Sequence, residues 1–359
     1  MSILVTALLL LLALAGAPLF AVIAASAMWG FFQTEVDLQV MAVEIYRVAE
    51  MPVLIAIPLF TFAGYLMGES KAPQRLVRIT DAFLGWMPGG LAIVALAACA
   101  LFTAFTGASG VTIVALGALL VPALKKAGYR ENFNLGLVTT SGSLGLLFAP
   151  SLPLILYGVI AQQMSLDTPV SIDDLFLAGI LPGLLMLTAL SLYSAWQSRH
   201  LPKSNHTFDR AEAWAAIKDS AWEIPLPFVV LGGIYGGFLA VSEAAAITAF
   251  YVLIVTVIIR REITFTQLPV VMRDSMKLVG AILLILAVSL ASTNYMIDAG
   301  VPEKVFDTIQ AHVTDGFTFL LLLTIFLLIL GSAALNHSLD RIEGALCVSA
   351  RVVLSTDAH

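Results

Sequence analysis

The chain has 359 residues, of which 60% are apolar and 12% charged, about half the charged share of an ordinary soluble domain. So few charges cannot clothe water-facing domains of this size, and the apolar residues fall in runs of roughly 17 to 40 where a bilayer crossing needs about 20. The net charge of −6 does not by itself imply a cationic partner, since in a membrane protein the placement of Lys and Arg outweighs their sum, and nothing resembles a nucleic-acid footprint.

The predicted architecture is an all-α polytopic integral membrane protein. The apolar runs are 3–32, 52–68, 84–124, 135–162, 175–198, 224–259, 278–296 and 317–335. The first lacks the positively charged start of a cleaved signal and stays apolar for its whole length, so it is expected to be a retained first helix. Loops 69–81, 125–131, 199–223 and 260–277 hold fourteen of the eighteen Lys and Arg. Loops 33–50, 163–174 and 296–316 hold two Lys or Arg and eleven acidic residues. The positive-inside rule places the first set in the cytoplasm and the second outside.

That assignment makes the run 84–124 return to the side it came from. Its turn, Thr103-Ala-Phe-Thr-Gly107-Ala-Ser109-Gly110-Val-Thr112, carries no charge, unlike the predicted external loops. A tip of small and hydroxyl residues reads as a re-entrant hairpin ending inside the protein. The next crossing, about 132–162, contains Ser141, Gly142, Ser143, Pro150, Ser151 and Pro153. Each proline lacks an N–H, so the carbonyls of Leu146 and Ala149 lose their helical donors.

Further on, 209–223 places Trp214, Ile217 and Ala221 at helical spacing, as an interfacial helix would. Run 224–259 reads as a helix pair with Glu243 at its turn as a solvated or capping acid. Thr293 and Asn294 read as interhelical glue. Cys99 lies in an apolar run and Cys347 in the tail, so neither a disulfide framework nor a cysteine metal site is expected.

Interrupted helices at bilayer depth present helix N-termini to anions and unwound carbonyls to Na⁺. The candidate ligand set is therefore Gly107, Ala108, Ser109, Gly110 and Thr112 on the hairpin, with Ser141, Gly142, Ser143, Leu146, Ala149, Pro150 and Ser151 on the broken crossing. Sodium is assigned to Ser109, Ser143, Leu146 and Ala149, whose hydroxyl and carbonyl oxygens suit a hard cation. No Asp, Glu, His, Lys or Arg occurs within 84–124 or 132–163. Proton coupling would need a titrating group there, so these elements favour Na⁺, with no organic cofactor. The plainer alternative is that Gly, Ser and Thr only let the helices pack closely.

The runs Ile57-Pro-Leu-Phe-Thr-Phe-Ala-Gly64-Tyr-Leu-Met, Phe105-Thr-Gly-Ala-Ser-Gly-Val and Gly142-Ser-Leu-Gly-Leu-Leu-Phe-Ala-Pro-Ser-Leu-Pro-Leu-Ile-Leu-Tyr-Gly158 resemble the large membrane subunit of TRAP transporters, the DctM-like permeases. Phe176 to Gly183 and Ser242-Glu-Ala-Ala-Ala246 continue the likeness, over about residues 1–331. Where that family has Pro-Thr-Glu, this chain has Val241-Ser242-Glu243.

The resemblance implies a Na⁺-driven, elevator-type importer of organic acids such as C4-dicarboxylates, in the bacterial inner membrane. It would work with a small DctQ-like membrane subunit and an extracytoplasmic DctP-like solute-binding protein. The family continues into a second hairpin and a second proline-broken crossing. Both are missing beyond Gly331, where the likeness stops, so a C-terminally truncated permease with a divergent polar tail at 332–359 is expected. A non-functional truncated fragment is one alternative.

The other alternative is an intramembrane serine protease, since Gly107-Ala108-Ser109-Gly110 is also the rhomboid nucleophile pattern. Ser109 would then need a histidine within hydrogen-bond reach. His200, His206, His312, His337 and His359 all fall outside the apolar spans.

Overall fold

The structure, a computed structural model, describes residues 2–87, 89–106, 109–163, 171–200, 209–313 and 315–329, and these contain helices and no strand. The expected polar tail at 332–359 lies outside them.

The N-terminal run is two helices where one was expected: α1 (Ser2–Leu14) and α2 (Leu19–Gln33) pack on one another. Gly16 adopts a left-handed φ of 89°, and Pro18 stands just before α2 without an N–H to continue a helix. The stretch read as an external loop holds α3 (Gln39–Glu50), which buries Met41 and Val48, two turns apart on one face. A 3₁₀ turn at Pro52–Ile55 leads into α4 (Ala56–Glu69). The basic segment after it is also helical, as α5 (Ala72–Leu84), because Ala72, Arg75, Leu76 and Thr80 form a buried stripe at helical spacing.

The hairpin is α6 (Gly90–Thr106) and α7 (Ser109–Lys126), packed on each other. At 1.5 Å per residue α6 is about 26 Å long, short of a hydrocarbon core of about 30 Å. It also touches α4 and α5, and Ala92, Val94, Leu96, Cys99 and Phe102 along it are all fully buried. A helix apolar throughout and buried over most of its surface, with Leu101 the exposed exception among its described large side chains, belongs within a bundle.

The broken crossing follows as α8 (Glu131–Leu144), a 3₁₀ turn at Gly145–Leu147, an extended Phe148, and α9 (Leu152–Gln163), with a 43° bend between the halves. After it comes α10 (Ile172–Gln197), capped by Ser171, whose hydroxyl accepts the Asp174 N–H at 3.0 Å. Two glycines let the neighbours close on the break. A Cβ on Gly145 would lie 2.3 Å from the Thr103 Cβ of α6, and one on Gly179 of α10 would lie 2.3 Å from the Leu147 carbonyl oxygen.

Helix α11 (Arg210–Asp219) is shorter than the expected 209–223, and its packed face differs. Ala213 and Ala216 are buried, α11 lies on α5, and Trp214 is 60% exposed. Helix α12 (Pro225–Tyr235) turns into α13 (Val241–Leu253), where Glu243 caps the helix by accepting the Ala240 N–H at 3.0 Å. Helix α13 packs along α4, with Ala56, Ala63 and Gly64 buried on one and Ala244, Ala245 and Ala249 on the other. Small residues permit this close approach. It then widens into six residues of π-helix, Ile254–Ile259.

Helix α14 (Leu268–Asp298) is 31 residues long and begins inside what was read as a cytoplasmic loop. The main compact unit ends at Ser292. The unit that begins at Thr293 holds the end of α14, α15 (Val301–His312) and α16 (Gly316–Ile329). Five of the described helical segments are long and apolar enough to cross a membrane, and six if the bent pair counts as one span.

Candidate functional site

The tip of the hairpin is sealed by hydroxyls. Thr103 and Thr106, one turn apart at the end of α6, are fully buried, as is Thr112 in the first turn of α7. Thr103 Oγ1 lies 2.7 Å from Thr112 Oγ1 and 2.9 Å from the carbonyl oxygen of Gly142, to which it can only donate. Thr106 Oγ1 is 3.5 Å from Thr112 Oγ1. Thus α6, α7 and α8 are pinned together at the point where the hairpin reverses. Helix α4 approaches the same point, since a Cβ on Gly64 would lie 2.7 Å from the Thr106 Cα.

Beside this pin is a cavity of roughly 320 Å³ lined by Ser109, Gly110, Leu146, Leu152 and Pro153, with Tyr65 of α4 and Leu278 and Ile282 of α14 completing it. Helix α7 starts at Ser109 and α9 at Leu152, so two helix N-termini face one space. Each brings unsatisfied N–H groups and about half a positive charge. Among the described residues no charged side chain lines the cavity, so these backbone ends set its potential.

The structure separates the candidate residues into three groups. Ser109, Gly110 and Leu146 line the cavity. Thr112, Ser141, Gly142, Ala149, Pro150 and Ser151 are buried in the walls. Within the walls, Ser141 donates to the Val138 carbonyl at 3.1 Å, while Ser151 Oγ is buried with no partner among the described residues. Ser143 is exposed, and its hydroxyl turns back to the Thr139 carbonyl of its own helix at 3.4 Å. Ser143 is thus not among the residues lining the cavity. Gly107 and Ala108 lie outside the described residues. Sequence reasoning did not single out Thr103, Thr106 or Tyr65. For the threonines the signal was present, as two hydroxyl residues three apart on one face of an otherwise apolar helix.

A second polar cluster lies in the segments that the positive-inside rule assigns to the cytoplasm. The Arg75 side chain, 7% exposed, donates from Nε to Glu223 Oε1 at 2.8 Å and from both terminal nitrogens to Glu262, at 2.5 and 3.2 Å. Glu262 also accepts the backbone N–H of Lys71 at 2.9 Å. Arg260 donates to the Asp219 carbonyl, and Arg78 bonds Glu212 at 2.9 Å and Asp219 at 3.1 Å. One network therefore ties α5, α11, the turn into α12 and the segment after the π-helix. Burial works against the Arg75 charge, but Glu262 and Glu223 more than offset it and hold the guanidinium above its ordinary range. Burial alone would raise Glu262, yet bonds from Arg75 and Lys71 hold it below its ordinary value of 4.5.

Comparison with known proteins agrees with this geometry. Residues 3–336 match the family model for the DctM component of the tripartite ATP-independent periplasmic transporters. The C4-dicarboxylate large permease DctM of Rhodobacter capsulatus is 29% identical over 337 residues, covering 91% of this chain and 76% of the relative. The ectoine/5-hydroxyectoine large permease UehC of Ruegeria pomeroyi is 32% identical over 308 residues, 84% of this chain and 69% of the relative. The isethionate permease DctMQ of Oleidesulfovibrio alaskensis is 33% identical over 281 residues, 78% of this chain and 43% of that longer protein. These are membrane permeases, which sets aside the protease reading of Ser109. The hairpin, the proline-broken crossing and a match over 3–336 together establish that this chain belongs to the DctM family, the large inner-membrane permeases of the TRAP transporters.

Proposed function

We propose that the chain is the permease subunit of a Na⁺-driven importer of small organic acids. The carrying observation is the convergence of the N-termini of α7 and α9 on one uncharged cavity. Helix N-termini attract carboxylates without a titrating side chain, and a cavity of roughly 320 Å³ is at the small end of ligand sites. Sodium fits the same neighbourhood. The Leu146 carbonyl, the carbonyl freed at Ala149, the Ser109 hydroxyl and the Ser151 hydroxyl, which has no partner among the described residues, are neutral hard oxygens.

An elevator-type motion is supported by the packing of α6, α7 and α8 on one another with a hydroxyl pin at the tip, since a body moves as a unit only if its parts are fastened. A small DctQ-like membrane subunit and a DctP-like extracytoplasmic binding protein complete the proposed assembly. The relatives are named for C4-dicarboxylate, isethionate and ectoine. Family membership therefore leaves the cargo open, and C4-dicarboxylates are the first to try.

The test is uptake into proteoliposomes containing all three components, with a four-carbon dicarboxylate and a panel of other organic acids. Uptake should require an inward Na⁺ gradient. Uptake that ignores that gradient and stops on adding a proton uncoupler would overturn the coupling.

A further inference from the structure

A second cavity, of roughly 360 Å³, opens at the cytoplasmic end of the same two helices that close the first. It is lined by Glu69 of α4, by Glu262, Thr266 and Gln267, and by Val271 and Asp274 of α14. Among the described residues Tyr65 is the one that lines both cavities. On α14 four of the five residues facing the two spaces, Val271, Asp274, Leu278 and Ile282, follow at intervals of three or four and so form a stripe, with Val270 beside its lower end. From Asp274 to Ile282 that stripe climbs about 12 Å.

No described helix lies in extensive close backbone contact along α14, which leaves room for both cavities beside it. Tyr65 is partly buried against the apolar core, and its hydroxyl has no hydrogen-bond partner among the described residues. The ring is held by packing and lies near the Asp274 carboxylate, with no hydrogen bond among the described residues to bar side-chain rotation.

We infer that the groove between α4 and α14 is the cytoplasmic release path for a small organic carboxylate, and that Tyr65 is the side chain the cargo must pass. This rests on the transport reading above. Of the three carboxylates at the mouth two are paired, which lowers the repulsion a departing anion meets, while Glu69 has no ion pair among the described residues. Glu262 is bonded to Arg75, and Asp274 is paired with Lys277 at 2.9 Å and Arg273 at 3.5 Å. Tyr65 thus separates a space whose potential is set by helix ends from one in which Glu262 and Asp274 are already paired.

The test needs no transport. In the full chain carrying Cys99→Ala and Cys347→Ala, single cysteines are placed at Leu278→Cys, above Tyr65, and at Gln267→Cys, in the mouth. Each is combined with Tyr65, Tyr65→Ala or Tyr65→Trp. A membrane-impermeant maleimide is then applied to right-side-out and to inside-out vesicles. Gln267→Cys should react from the cytoplasmic face at one rate in all three backgrounds. Leu278→Cys should react from that face severalfold faster in Tyr65→Ala and severalfold slower in Tyr65→Trp.

Labelling of Leu278→Cys that ignores residue 65, or that occurs only from the external face, would overturn the path. The Ala and Trp arms have opposite signs, and Gln267→Cys reports correct insertion, so either arm decides alone. Sodium plays no part in the labelling, so a failed uptake assay and a failed labelling assay reject different claims.

Discussion

Arg75, Glu223 and Glu262 at the cytoplasmic end, and Thr103, Thr112, Ser141 and Ser151 around the hairpin tip, are both polar clusters withdrawn from solvent. They are satisfied in opposite ways. The first carries full charges of opposite sign set against one another, one guanidinium being shared between two carboxylates, although Glu223 Oε2 and Arg260 Nε are buried without a hydrogen-bond partner among the described residues. The second carries no charge and closes incompletely, leaving the Ser151 hydroxyl and two helix N-termini beside a cavity. A charge cluster that is matched internally has little left to offer a ligand and serves to fix elements in place. A neutral cluster with unmatched oxygens costs less to leave open, and it is where a small ion or acid gains most by binding.

The contrast predicts a graded series. Arg75→Met leaves two buried carboxylates facing each other and should cost about 3–5 kcal/mol, read as a large drop in thermal midpoint of the detergent-solubilised protein. Adding Glu223→Gln and Glu262→Gln should recover much of it. Failure to recover would mean that Arg75 acts through packing and not through charge.

Glu262→Gln alone should cost about 1.5–3 kcal/mol, the range for hydrogen bonds to charged groups, and its cost should depend on pH. The folded carboxyl sits below its ordinary value of 4.5. Its contribution is therefore complete above that value and is lost as pH falls through the lower, folded range. Arg75 is shifted upward, so its contribution is complete at every pH below the ordinary arginine range. The gap in stability between parent and Glu262→Gln should stay flat from neutral pH down to about 4.5 and then narrow. A gap that narrows on the alkaline side instead would contradict the assignment.

Gly145→Ala would push a methyl into the Thr103 Cβ at 2.3 Å, an overpacking worth about 1–3 kcal/mol, and should also lower uptake by prising the broken crossing from α6. Smallest in stability is Ser151→Ala, expected within about 0.5 kcal/mol because that hydroxyl makes no bond to lose. Its effect belongs in function, as a severalfold rise in the Na⁺ concentration for half-maximal uptake. A Ser151→Ala protein that is destabilised but normal in its sodium response would reverse the comparison.

The hairpin and the broken crossing were legible because their signals are local. A charge-free turn between two apolar arms, and two prolines three residues apart in a crossing, allow few other folds in a bilayer. The family was legible from the same runs. The charge network was not, because Arg75 and Glu262 are 187 residues apart and a charged residue in a basic segment reads first as a solvated loop. The helical spacing of Ala72, Leu76 and Thr80 was visible, yet the charges among them outweighed it. The first run was misread for the opposite reason: unbroken hydrophobicity concealed the Gly16-Ala-Pro18 interruption, although glycine and proline punctuate a chain whatever surrounds them. That Ser143 faces away from the cavity was not legible, because one hydroxyl per turn looks alike on every face until a neighbour is known.

The π-helical turn at Ile254–Ile259 holds one residue more than an α-turn would, and the chain leaves it carrying Arg260 toward Asp219 and Glu262 toward Arg75. Each residue of an α-helix advances the azimuth by about 100°. Deleting a single residue there would restore an ordinary helix and swing both side chains about a quarter-turn out of the clasp, so the length of this short stretch is under tighter constraint than the identity of any aliphatic residue in it.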